Sequence, residues 1–358
     1  MTALAAAVEP RAYGSERLLA VDPAQGALSH HAFRELPSLL LPGDLAVLND
    51  AATLPAALRL TSHDAELRLA TREPNGDFLA VVLGAGTFRM PTEARGPAPL
   101  LAVGERVTID TLAGAIVGVD PVDSRLVRVR FELAGAALFR ALYRAGHAIS
   151  YAYHARASEL WDVNHRFASR PWAFESPSAA LPLTFEVLGA LRQRGVEVAS
   201  LTHAAGLSST GSPSLDRRLP FPERYEIPAA TSALIATTRA RGGRVFAMGT
   251  TVVRALESSA LEHGLVRAGP GVARLVIGPG FRPRAVDGVL TGMHEPTTSH
   301  FALISAFAPT PLLADALAAA GREGYLQHEF GDACLILPRG RASGGALRDR
   351  PPASGPRR

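Results

Sequence analysis

Apolar and polar residues change rhythm twice between the two termini. Residues 17–21 form a short apolar run ahead of a turn from Asp22 to Gly26, a polar segment extends to Leu40, and after Pro42 the run 45–48 reads as a buried strand ending at Asn49 and Asp50. From about 58 to 133 the runs ELRLA, FLAVVLG, RVTID, AIVGV and RLVRVRFEL alternate in short bursts, broken by Pro74-Asn75-Gly76 and Gly104. Such closely spaced strands predict a small β-barrel or sandwich, inserted into a larger unit or lying beside it. After 134 the period becomes helical. From 182 onward helices and apolar strands alternate, over 183–194, 196–201, 229–241, 244–248, 274–277, 301–308 and 311–323, which is α/β patterning.

The densest junction is GGRVFAMGTTVVRALES, residues 242–258. Its apolar run suits a buried parallel strand, Gly249 permits a close turn, and Thr250 or Thr251 can cap a helix that continues through Arg254 and Glu257. Free N–H groups at that helix start would lie beyond the strand's carboxyl end, where open α/β sheets hold ligands. A second block, IGPGFRPRAVDGVLTGMHEP from Ile277, gathers Pro279, Gly280, Arg282, Asp287, Thr291 and His294. Here a Pro-Gly turn exposes backbone N–H groups, Asp287 can orient a hydroxyl or a cation, and His294 can exchange a proton near neutral pH. In a third block, LTHAAGLSST, His203 stands at the end of an apolar run.

The 358 residues are 47% hydrophobic and 20% charged, a globular composition long enough for two domains. No apolar run approaches the roughly 20 residues that span a bilayer, so no membrane association is expected and the protein reads as cytoplasmic. Cys334 is the single cysteine, which excludes a disulfide framework and a cysteine metal cluster. No lysine occurs, so all 37 basic residues are arginine and Schiff-base chemistry is excluded. An isoelectric point near 9.7 with net charge +4 fits an anionic partner such as RNA. Walker A, HExxH, GxSxG and CxxC patterns are absent, and no metal site is expected. The Gly-, Pro- and Arg-rich stretch 339–358 reads as a disordered basic tail.

Four ordered blocks resemble the S-adenosylmethionine:tRNA ribosyltransferase-isomerase family of queuosine biosynthesis over about residues 16–337. They are LLAVDPAQGALSHHAFRELPSLLLPGDLAVLND, the 242–258 junction, PGF-R-RAVDGVLTGMHEP followed by SAFA, and GYLQHEFGDACLIL. The resemblance implies an α/β main domain with an inserted small β-barrel domain, in agreement with the patterning. The expected division is 1–57 plus 134–338 for the α/β domain, 58–133 for the insert and 339–358 for the tail. It further implies transfer and isomerisation of the ribosyl part of S-adenosylmethionine onto an aminomethyl-deazaguanine in tRNA, with adenine and methionine released. The sulfonium acidifies the adjacent ribose carbon, a base takes a proton there, and loss of methionine lets the epoxide close. S-adenosylmethionine is then a substrate, no cofactor is tightly bound, and the expected oligomeric state is a monomer.

On this reading His203 or His294 transfers protons, and Asp287 orients the ribose or the sulfonium. Gly249, Thr250 and Thr251 with Arg254 hold the carboxylate or adenosine, and Asp332 is a second polar anchor. Asn49, Asp50, Pro279, Gly280, Arg282 and Thr291 complete the candidate binding set. The chain departs from the family where the site is expected: Ala51, Ala52 and Ala57 replace polar and basic positions, Pro182 stands where a histidine belongs, and Arg274 replaces an acidic residue. Two alternatives therefore stay open, a relative that uses S-adenosylmethionine with a different small-molecule or nucleoside acceptor, and a non-catalytic descendant that binds S-adenosylmethionine or RNA.

Overall fold

The protein, here as a computed structural model, is described for residues 4–12 and 14–338; the expected basic tail at 339–358 lies outside the described residues. A nine-stranded sheet organises the larger part. Across it run Gly269–Ala273, Glu223–Ile227, Glu197–His203, Leu45–Asn49, Val245–Met248, Gly288–Gly292, Ala333–Ile336, Arg17–Asp22 and Ala27–Ala32. The central four, from Glu197–His203 to Gly288–Gly292, are parallel, with Ser200 opposite Leu48, Leu48 opposite Met248, and Met248 opposite Leu290. That register brings their carboxyl ends to one edge.

Both faces of this sheet are covered, and the side chains alternate accordingly. Leu45, Val47, Val245, Ala247 and Val289 enter one core, with residues of helices Ala229–Ala240, Thr250–His263, Ser299–Ile304 and Thr310–Arg322. Their neighbours Ala46, Leu48, Phe246, Met248 and Leu290 enter the other, with Leu36 and with Val187, Leu188 and Leu191 of helix Phe185–Gln193. Burial on both faces explains why these strands read as unbroken apolar runs.

A second sheet has seven antiparallel strands in the order Gly146–His147, Ala57–Arg59, Glu66–Arg72, Phe78–Leu83, Leu126–Phe131, Leu112–Val119 and Arg106–Ile109. It curls so far that the Thr61 N–H donates to the Thr108 carbonyl at 2.9 Å, linking the ends of two strands that are far apart in this order.

Three local expectations change. The strand expected at 274–277 is Gly269–Ala273, because pairing with Glu223–Ile227 places Ala273 opposite Glu223 and ends the ladder there. The polar stretch before Leu40 contains a strand, Ala27–Ala32, whose edge position, with no residue fully buried, needs no apolar alternation. Helix Thr250–His263 is capped by Gly249, with no side-chain cap from either threonine.

Candidate functional site

The chain leaves Val245–Met248 through Gly249 at φ 116°, a left-handed conformation that only glycine adopts without strain. A Cβ there would meet the Ala179 methyl at 3.4 Å. With no side-chain cap, the first N–H groups of the helix are left for a ligand, and the dipole favours an anion. Thr250, Thr251 and Gly249 line a cleft with about 140 Å³ of interior space, together with Glu175, Gly206, Thr291, His294 and His300. Glu175, Ser208, His294 and His300 also line an adjoining cavity of about 710 Å³, where Tyr151, Tyr153, His328 and Glu329 form further wall.

His294 Nε2 lies 2.6 Å from Thr291 Oγ1, and its ring stacks on His300 at 4.8 Å between centroids. Burial, aided by His300 and His328, holds His294 well below the usual imidazole range, and burial with Arg254 brings His300 to about 4. Both rings are neutral near pH 7, able to accept a proton or donate an N–H bond without storing an acid proton.

His203 is fully buried and lies behind the cleft wall. Its ring is 3.4 Å from Glu223, which also pairs with Arg254 and accepts from the Gly206 N–H at 2.5 Å. Burial first, then Arg254, depresses its basicity strongly. Arg254 borders the cleft, but its guanidinium is occupied by Glu223 and by the carbonyls of Ala273 at 3.0 Å and Leu275 at 3.2 Å. Asn49 staples the strand ends: its amide donates to His203 O at 3.0 Å and to Thr251 Oγ1 at 3.2 Å, while its oxygen accepts from His203 N at 2.9 Å and Ala51 N at 3.1 Å.

Six other expected residues are not brought to the cleft, and Asp287 is the clearest case. It lies at the amino end of Gly288–Gly292, accepts from Val245 N at 2.8 Å and pairs with Arg239 at 3.5 Å, the opposite end of the sheet from Thr291. Asp332 anchors the N-terminal segment by accepting from Arg11 at 2.6 Å and from Arg17 N at 2.8 Å. Asp50 receives the Thr202 hydroxyl at 2.6 Å and the Ser200 hydroxyl at 3.1 Å, so its carboxylate is committed to the neighbouring strand. Gly280 and Arg282 are exposed with Pro279 on the loop past Ile277, outside both cavity walls.

The sequence reading missed the acidic and aromatic wall. Glu175 accepts from the Tyr151 hydroxyl and from Ser208 N at 3.0 Å. Burial raises its carboxyl to about 7, against the pull of the Tyr151 and Ser208 side chains. Tyr151 stacks on Tyr153 at 5.6 Å, and Tyr153 stacks on His328 at 4.0 Å while donating to Glu329 at 2.9 Å. His328 holds φ at 71°, a conformation uncommon outside glycine. One signal for this wall was available: ISYAYHA places two tyrosines at every second position with a histidine beside them.

A helix start with no side-chain cap and tunable acid–base groups at the carboxyl edge of a parallel sheet make this cleft a candidate small-molecule site of the open α/β type. Residues 2–336 match the family model described as queuosine biosynthesis protein, and the chain belongs to that family. It is 38% identical to the S-adenosylmethionine:tRNA ribosyltransferase-isomerase of Gloeobacter violaceus, across 92% of this chain and 91% of the relative. Identity to the enzyme of the same name from Anaeromyxobacter sp. is 36%, across 93% and 95%. The crystal structure of S-adenosylmethionine tRNA ribosyltransferase from Thermotoga maritima is similar, with TM-score 0.50 and 25% identity over 93% of this chain and 96% of that one. Among the described residues no helix is long and apolar enough to cross a membrane.

Proposed function

We propose that the protein transfers and isomerises the ribosyl group of S-adenosylmethionine onto 7-aminomethyl-7-deazaguanine in tRNA, giving epoxyqueuosine and releasing adenine and methionine. The observation that carries this reading is the joining of two cavities at Glu175. One is built around a helix N-terminus and the other around stacked rings, and a group able to gain or lose a proton near pH 7 stands where they meet. The relatives' names supply the reaction, and their coverage of almost the whole chain supports carrying it over.

In this assignment the N–H groups at Thr250 and Thr251 receive the methionine carboxylate. Glu175, as carboxylate, removes the ribose proton made acidic by the sulfonium. Neutral His294, oriented by Thr291, hydrogen-bonds the departing adenine or a ribose hydroxyl. The deazaguanine base enters the larger cavity beside Tyr151, Tyr153 and His328. Arg254, Glu223, His203 and Asn49 position the cleft wall from behind. The curled sheet, residues 58–133, serves as an inserted barrel-like domain whose 91–93 loop contributes to the larger cavity.

The decisive experiment incubates the purified protein with S-adenosylmethionine and tRNA bearing the aminomethyl-deazaguanine base, and follows adenine by chromatography. Adenine stoichiometric with modified tRNA is the expected result. Adenine appearing only with a free nucleoside would overturn the assigned acceptor, and none with any acceptor would overturn the enzymatic reading.

A further inference from the structure

On the other side of the Pro220–Glu223 segment lies a second large cavity, about 800 Å³, where the curled sheet meets the edge of the nine-stranded sheet. Pro220 and Glu223 border the catalytic cleft, whereas Phe221, Pro222 and Arg224 border this one. We propose that this cavity is a docking site for the phosphodiester backbone of RNA, held by Arg72, Arg224 and Arg274. The assignment rests on the tRNA reading above and adds a place where the rest of the tRNA is gripped.

Charge is the first argument. Five arginines line the cavity against two carboxylates, Glu73 and Asp120. Both carboxylates are already spent, Glu73 on Arg128 at 2.9 Å and Asp120 on Arg218 at 2.8 Å. Arg72, Arg224 and Arg274 have no carboxylate partner among the described residues.

Unmet hydrogen bonding is the second. The Nε atoms of Arg72 and Arg224 are buried with no acceptor, a costly arrangement for a cationic donor unless an anion arrives. Burial, with Arg72 alongside, pulls Arg224 to about 10, so it stays charged at neutral pH while repelling its neighbour. An incoming phosphate on the remaining N–H groups of the two guanidinium groups would relieve the repulsion.

Geometry is the third. The Arg224 guanidinium lies over the Trp172 ring at 3.9 Å, and Arg72 lies over Phe78 at 5.6 Å. Aromatic faces hold each guanidinium in a defined plane and leave its N–H edges for bidentate contact. The three arginines come from separate places, the strand Glu66–Arg72, the strand Glu223–Ile227 and the turn after Ala273. A cavity of about 800 Å³ lined by all three has room for more of a phosphodiester strand than one compact anion fills. Because Glu223 faces the catalytic side and Arg224 this one, an RNA crossing the Pro220–Glu223 segment can reach both.

The test measures tRNA affinity of the full chain by fluorescence anisotropy between about 50 and 200 mM salt. The proteins compared are the wild type, Arg274→Gln, Arg224→Gln and the Arg72→Gln/Arg224→Gln double variant. Binding of S-adenosylmethionine is followed by calorimetry and adenine release in parallel. The double variant is expected to bind tRNA at least about tenfold more weakly, and the slope of log affinity against log salt to shrink by about 0.7–0.9 per lost phosphate contact. Calorimetric binding of S-adenosylmethionine should be unchanged. Arg274 is exposed, so its variant keeps the test decisive if the buried pair fails to fold. Unchanged tRNA affinity and salt slope in folded variants would overturn the site, and normal adenine release in those samples would show that the enzymatic reading survives. Calorimetric binding of inorganic phosphate that is lost in Arg224→Gln while tRNA affinity stays intact would also overturn it, in favour of a small-anion site.

Discussion

Glu175 makes the most specific forecast at the level of single side chains. Its carboxyl is raised from 4.5 to about 7, so the basic form needed for proton removal accumulates only as pH rises through that value. kcat/KM for S-adenosylmethionine should climb through about pH 7 and then level. Glu175→Gln should lose that step and about 10²–10⁴ of the rate. Stability moves the other way, because a raised acid means the fold binds a proton that the unfolded chain releases. The penalty of the buried charge is absent below the unfolded value of 4.5, grows through the interval, and is complete above about 7. Thermal melts of Glu175→Gln should therefore exceed wild type at pH 8, with the gap closing toward pH 5; a constant gap would refute the assignment. None of this was legible in the sequence. Glu175 follows an ordinary PWAF run, and its properties come from Tyr151, some two dozen residues earlier, and from Ser208 on another loop. The same reason displaced Asp287 and Asp332: residue type announced a polar role, but the partner, a backbone N–H or an arginine, is set by the fold.

Secondary-structure elements were more readable, since burial on both faces gives strands such as Val245–Met248 unbroken apolar runs and helices a regular stripe. The 242–258 junction was placed within a residue or so by its apolar run and the glycine that ends it. What the sequence misassigned was the cap, because Thr250 and Thr251 are good capping residues and only backbone geometry shows that Gly249 occupies that position. This yields an element-level forecast. Gly249→Ala must either hold φ near 116° or rotate the first turn of the helix away from the cleft. Strain of about 1–3 kcal/mol is expected from the first alternative. A weaker grip on the carboxylate follows from the second. The variant should melt lower and show a raised KM for S-adenosylmethionine, whereas Gly278→Ala, where an added methyl meets open space, should leave both unchanged. Equal behaviour of the two variants would argue against a ligand-binding turn at Gly249.

The division of the whole chain is less sharp than the change of rhythm at 58 and 134 implies. Leu58, Leu67, Val81, Val107, Ile116 and Val129 of the curled sheet share one continuous core with Leu138 and Leu142 of the following helix. Phe174, Leu207, Leu215, Leu219 and Phe221 from far downstream belong to it too. The strand Ala57–Arg59 also pairs with Gly146–His147, beyond the expected boundary. Periodicity registers the strands but not what fills the concave side of the sheet, so the sequence reads as a separate unit there and hides its dependence on the rest. Each of those downstream leucines and phenylalanines contributes about 1.5–3 kcal/mol when buried. A domain of this size has a net stability of only about 5–15 kcal/mol, so losing five of them, about 7.5–15 kcal/mol, is as large as all the stability the fragment can have. Residues 58–133 expressed alone should bind a hydrophobic dye and unfold without a cooperative transition. A longer fragment extending through 222 restores the shared core and should regain cooperativity. A sharp calorimetric transition in the short fragment would mean that the curled sheet is self-sufficient and that the downstream segment merely leans on it.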